Sequence, residues 1–166
     1  MHKLIVNIVA LGFVGMVAAT PNLTTVGEGS YRYLFWQLYD ARLASTDGTF
    51  STYQQSSPLL LELTYKRDIS KDQFIDATVE QWQKLGRSSE QQQTEWAERL
   101  AELWRDVKEG DRLAALLTEQ GQVQFYFNDA DIGLVKDKDF APAFFDIWLH
   151  PDTTAPKLRR QLIAAE

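Results

Sequence analysis

Residues 31–43 read YRYLFWQLYDARL. One alternating set carries Tyr31, Tyr33, Phe35, Gln37, Tyr39, Ala41 and Leu43. The other carries Arg32, Leu34, Trp36, Leu38, Asp40 and Arg42. Successive side chains of a strand point to opposite faces, so a run that is apolar on both sets marks a strand covered on both sides. The middle of this run is apolar on both. It predicts one long, central strand over 31–43, and therefore a fold organised around a sheet.

Working outward, Ser45-Thr46-Asp47-Gly48 is a turn, and Leu59 to Tyr65 is a second strand candidate that runs into Lys66-Arg67-Asp68. Two helices follow. Ser70 with Gln73 has the spacing of a capping box, Phe74, Thr78, Trp82 and Leu85 share a face, and Gly86 supplies a stop. Ser88 with Gln91 repeats the cap, ahead of an apolar stripe of Trp96, Leu100, Leu103, Trp104 and Val107. Strand patterns return at Leu113–Leu117, at Val123–Phe127 and at Ile132–Val135. A third helix, capped by Asp137 or Asp139, carries Phe140, Phe144, Ile147 and Trp148, and a short one begins near Pro156. Strands, helices, strands and helices in that order predict an α+β fold: one antiparallel sheet with helices packed on one face. There is no internal repeat and no linker, so residues 20–166 are expected to form one domain.

Upstream, Lys3 precedes a nearly unbroken apolar run from Leu4 to Ala18, and Val17-Ala18-Ala19 offers small residues for a peptidase. Residues 1–19 are therefore expected to be a signal peptide cut after Ala19, which places the mature chain in the periplasm or another extracytoplasmic space. The run is short for a span of about 20 residues, so no stable membrane span is expected after cleavage. The chain has no cysteine, which excludes disulfides. Its net charge of −6 argues against a nucleic-acid partner.

The residues leave little room for familiar catalysis. His150 is the one histidine beyond the leader, so a zinc site and a Ser-His-Asp triad both lack ligands or partners. No phosphate-binding loop or dinucleotide fingerprint is present, and no cofactor or metal is expected. Gly27-Glu28-Gly29 reads as a turn or bulge before a strand. Glu95, Glu98 and Glu102 with Arg99 and Arg105 read as a solvated helix face. The unusual local feature is Tyr65-Lys66-Arg67-Asp68 at a strand end, together with Arg32 and Tyr39 on another strand. An arginine beside aromatic rings can hold a carboxylate, or it can close a turn by pairing with Asp68.

The stretches GEGSYRYLFWQLYDARL, LELTYKRDISKDQF, WQKLG, VKEGDRLAALLTEQGQVQFYFNDADIG and DKDFAPAFFDIWLHPDTTAPKLRRQL, in that order, resemble the chalcone isomerase-like family in its bacterial secreted branch. The resemblance implies an open-faced β-sandwich, with a large antiparallel sheet backed by helices. In the plant enzymes a set of hydrogen-bond donors steadies the reacting oxygen. Matching those positions places Asn22, Leu34, Ser70, Ala77 and Ile147 where the family has arginine, threonine, tyrosine, asparagine and a hydroxyl residue, so the donor set is dismantled. Tyr39 matches a family tyrosine. The resemblance also implies a sheet–helix cleft of the kind that binds fatty acids in non-catalytic members.

The expectation is thus a non-catalytic exported protein that binds a hydrophobic small molecule such as a fatty acid. Arg67 or Arg32 would meet its carboxylate, and Trp36, Tyr39 and Tyr65 would form the apolar wall. Two rivals stand beside it. One is an isomerase or intramolecular lyase using a tyrosine or Asp68 with an arginine. The other is an interaction module presenting Gln122, Gln124, Tyr126 and Asn128.

Overall fold

A computed structural model describes residues 20–165. The expected leader, residues 1–19, lies outside the described residues. Six strands, β1 (Thr24–Tyr33), β2 (Trp36–Ser45), β3 (Leu59–Tyr65), β4 (Arg112–Leu117), β5 (Val123–Phe127) and β6 (Ala130–Val135), form one sheet in the order β1-β2-β3-β4-β5-β6. Every neighbouring pair is antiparallel. The helices are α1 (Tyr53–Ser56), α2 (Lys71–Leu85), α3 (Glu90–Leu103), α4 (Phe140–Leu149) and α5 (Pro156–Leu162). Leu59, Leu61, Leu63 and Tyr65 bury one sheet face against helix residues. The opposite face holds a small cluster of Ala44, Leu60, Ala114, Leu116 and Tyr126 that contains no helix residue. The expected α+β architecture is the observed one.

The stretch 31–43 is not one strand. The chain reverses at Leu34-Phe35, with Leu34 at a φ of 54°, so that Tyr33 pairs with Trp36 and Tyr31 with Tyr39. Two-residue hairpin loops need positive φ and normally announce themselves with Asn or Gly. Here a leucine takes that conformation inside an uninterrupted apolar run, so nothing in the periodicity marks the turn. The strand predicted to be central is instead the outermost hairpin, and its tip is bare. Tyr33, Leu34, Phe35 and Trp36 are 60%, 76%, 93% and 56% exposed.

Local signals set the helices. Ser70 and Gln73 form a full capping box and Gly86 ends α2 at a φ of 64°. The second box forms one residue later than its spacing suggests, at Ser89 and Gln92. α3 buries Trp96, Leu100 and Leu103, but Trp104 is already extended, and Val107 bridges Ile69. Asp137 organises the start of α4 from outside it: Oδ1 accepts from the Asp139 N–H and Oδ2 from Trp96 Nε1 at 2.8 Å. Gly27 and Gly29 lie inside β1, beside a bulge between Thr25 and Gly27, and they let α5 approach the strand backbone. Edge-on ring contacts among Trp82, Trp96, Trp104, Phe125, Phe140 and Phe144 fill the centre of the layer between sheet and helices.

Candidate functional site

Between the β1–β3 end of the sheet and the helices lies a cavity of about 140 Å³. Tyr31, Tyr39, Leu63 and Tyr65 form its sheet wall. Phe74, Ala77, Thr78 and Gln81 of α2, Ile147 and Trp148 of α4, and Thr154 and Ala155 ahead of α5 face it, and Leu38 and Ile69 complete the lining. The strand parity that buries Leu63 and Tyr65 also turns Tyr39 to this side. No charged side chain lines the cavity.

Its polar groups are few. Trp148 Nε1 donates to Tyr39 Oη at 3.0 Å, and the Tyr39 ring stacks on Tyr31 with centroids 5.2 Å apart. Thr78 Oγ1 donates to the Phe74 carbonyl, and Thr154 Oγ1 donates to Gln81 Oε1. Tyr65 differs: it is 2% exposed and its hydroxyl has no hydrogen-bond partner. Burial pushes the phenols of Tyr39 and Tyr65 well above their usual range. Near neutral pH both are hydrogen-bond donors and neither is a base.

The structure brings together two of the five sequence-predicted site residues, Tyr39 and Tyr65, whose rings meet edge-on at 5.9 Å. It places the others elsewhere. The Arg67 guanidinium lies 3.9 Å above the Trp36 ring, and both belong to a separate surface depression with Gln37, Lys66, Asp68 and Glu109. Arg67 stands beyond the last paired residue of β3, and Trp36 begins β2 at the hairpin tip, so neither reaches the cavity. Arg32 is exposed on β1 opposite Gln37. Asp68 accepts from the Glu109 N–H rather than pairing with Arg67.

Two of the positions matched to lost family donors, Ala77 and Ile147, do line the cavity, and both are apolar. Ser70 is occupied as the α2 cap. Leu34 stands at the hairpin tip and Asn22 ahead of β1, so neither is a cavity residue. Sequence reasoning missed Trp148 and Thr78 as wall residues. Both were legible as buried helix positions, but nothing indicated that an indole N–H would reach Tyr39 across 109 residues of chain.

The expected polar strand face is consumed internally. Tyr126 is buried, Gln124 Nε2 donates to the Gly133 carbonyl, and Asn128 binds Asp111 and the Arg112 N–H. A larger depression of about 680 Å³ lies between α1 and α4. Several of its polar groups are already paired: Tyr53 Oη donates to Asp146 at 2.5 Å, where Arg87 also approaches at 3.6 Å, and Arg159 donates to the Leu149 carbonyl. Among the described residues no cluster of His, Cys, Asp and Glu could hold a metal ion, and no helix is long and apolar enough to cross a membrane.

A protein of Haemophilus influenzae described as an uncharacterized protein is 27% identical over 139 residues, which cover 83% of this chain and 66% of that relative. The chain thus spans slightly less than two thirds of the relative's length. The crystal structure of a fatty-acid binding protein of Arabidopsis thaliana matches with a TM-score of 0.63 over 88% of this chain and 90% of that one, at 9% identity. At that identity the likeness is one of fold. A family model described as chalcone isomerase-like matches residues 19–164. The sheet, its helical backing and this match across nearly the whole sequence make the chain a member of the chalcone isomerase-like family.

Proposed function

We propose that this chain is an exported, non-catalytic binder of a small, largely apolar molecule with one hydrogen-bond-accepting group, held in the cavity beside Tyr39 and Tyr65. The observation that carries this reading is an apolar cavity lined by Tyr39 and Tyr65, at whose edge the buried Tyr65 hydroxyl is left without a hydrogen-bond partner. A buried donor left unpaired costs about 1–3 kcal/mol, and a ligand oxygen would recover that cost. The fatty-acid binding protein that shares the fold supports a lipid-derived ligand. The leader-like residues 1–19 support export.

The volume sets the size. A cavity of about 140 Å³ resembles one that holds benzene, so it accepts roughly six carbons, and a longer chain would continue out through the mouth. The lining also sets the charge. With no cation in the wall, a carboxylate would be buried unpaired, so an acid would bind in its protonated form. Desolvation raises a bound carboxyl's pKa, so binding would be full below the free acid's pKa and lost as the pH rises above it. An isomerase would need a base at the reacting carbon. The cavity presents neutral phenols, while Asp68 and the arginines lie outside it.

Calorimetric titration with hexanoic acid and methyl hexanoate at pH 4 and pH 8 tests the reading. The acid is expected to bind at the lower pH only, and the ester at both. Tyr65→Phe should weaken binding about tenfold while leaving the empty protein equally stable or about 1 kcal/mol more stable, because it removes an unsatisfied group. Ala77→Trp should close the mouth and abolish binding. Failure of every ligand to bind the unaltered chain, or binding indifferent to both substitutions, overturns the proposal.

A further inference from the structure

The tip of the β1–β2 hairpin is ordered by depth. At the apex are Leu34 and Phe35, the most exposed large apolar residues of the described chain. One step back is the pair Tyr33 and Trp36. One step farther is Arg32, opposite Gln37, with the Arg67 guanidinium stacked on Trp36. Hydrocarbon, then amphipathic rings, then guanidinium groups is the order of chemistry met on leaving a bilayer: acyl chains, the interfacial region, the phosphates. At about 3.3 Å per strand residue, the apex reaches roughly 5–10 Å beyond the arginines, the depth at which interfacial segments sit.

We propose that this hairpin tip docks on a lipid bilayer. The charges agree. Residues 29–39 carry one charged side chain, Arg32, on a chain of net charge −6. Arg32 and Arg67 make no ion pair among the described residues: the nearby Asp40 is taken up by Lys66 at 3.0 Å, and Asp68 and Glu109 share the depression of Arg67 without pairing with it. The shape agrees as well. Four side chains expose on the order of 500 Å² of largely apolar surface, more than scattered surface residues normally leave bare. That is short of the roughly 800 Å² per partner of a stable protein interface, and it is a protruding point rather than a face. The same hairpin carries Tyr31 and Tyr39 into the cavity wall, so docking brings the cavity beside the membrane. The docking itself requires no ligand.

The absence of cysteine permits single-site labelling of the full chain. Leu34→Cys and Glu119→Cys, each carrying an environment-sensitive fluorophore, report on the tip and on the turn at the opposite end of the sheet. With vesicles of phosphatidylglycerol and phosphatidylcholine, the label at 34 should brighten severalfold and the label at 119 should not change. In co-sedimentation, Leu34→Ser with Phe35→Ser should lower the bound fraction at least about tenfold relative to the unaltered chain. This comparison cancels any contribution from residues 1–19. A silent label at 34, equal responses at both positions, or sedimentation indifferent to the serines would overturn the proposal. So would brightening that follows protein concentration without lipid, which would assign the tip to a second copy. None of these outcomes bears on ligand binding in the cavity.

Discussion

Gly27→Ala is expected to destabilise the protein by about 3 kcal/mol and to loosen its last helix. A Cβ at Gly27 would stand 2.6 Å from the Leu162 carbonyl oxygen and closer still to that of Gln161. Both are backbone atoms, which cannot swing aside as a flexible side chain can. Either the bulged strand or α5 must move. Moving α5 withdraws Leu158 and Leu162, both fully packed, from the core. Gly86→Ala is the comparison. At Gly86 a Cβ would meet nothing within 4 Å, so only the left-handed backbone is strained and a cost of about 1 kcal/mol is expected. Urea unfolding gives the two losses, and hydrogen exchange of amides 157–162 shows whether the Gly27 loss lies in α5. Unchanged protection of both α5 and β1 in Gly27→Ala would refute the close-packing account.

Raising the pH above 10 is expected to unfold the chain cooperatively. Tyr39, Tyr53 and Tyr65 all have phenol pKa values pushed above the ordinary 10.0, each chiefly by burial. Tyr53 has a second cause, since its hydroxyl donates to the Asp146 carboxylate and ionisation would set two anions together. Folded values above unfolded ones mean that the stabilisation is intact below pH 10 and is lost as pH rises beyond it. Each such group forfeits up to about 1.4 kcal/mol per pH unit. Allowing for partial exposure of Tyr39 and Tyr53, the three together cost about 3 kcal/mol per unit. Against a typical stability of 5–15 kcal/mol, the transition should begin within about two units of pH 10. The last three of the six tyrosines to ionise should do so together with the loss of circular dichroism, and Tyr65→Phe should move the midpoint upward. More than three tyrosinates appearing before any loss of structure would show that the buried hydroxyls reach water in the native state.

Much of the architecture was legible because local and tertiary signals agree. Leu59–Tyr65 is a strand by pattern and in fact, and Ser70, Gln73 and Gly86 bound their helix by capping chemistry that acts within a few residues. The hairpin was illegible for the converse reason. Leu34 adopts a backbone conformation that leucine seldom takes, and the apolar residues around it mimic a buried strand. That misreading also displaced the site. Assigning Trp36 to a covered strand makes it a wall residue and Arg67 a ligand group, whereas they rest on each other at the surface. Tyr39 and Tyr65 could be named as aromatic residues at strand positions. That one hydroxyl would be paired by Trp148 and the other left alone depends on α4 crossing near β2, which no periodicity encodes.

Since each strand lies beside its neighbour in sequence, the whole of α2 and α3 is spliced into a single crossing, between β3 and β4. The sheet is therefore two three-stranded meanders zipped along one seam, where Leu59 to Thr64 face Leu117 to Arg112. A nick at Gly86 would leave a complete meander in each fragment, and mixing the halves should restore the fold through that seam together with the seating of α5 on β1 and of α2 on α3 and α4.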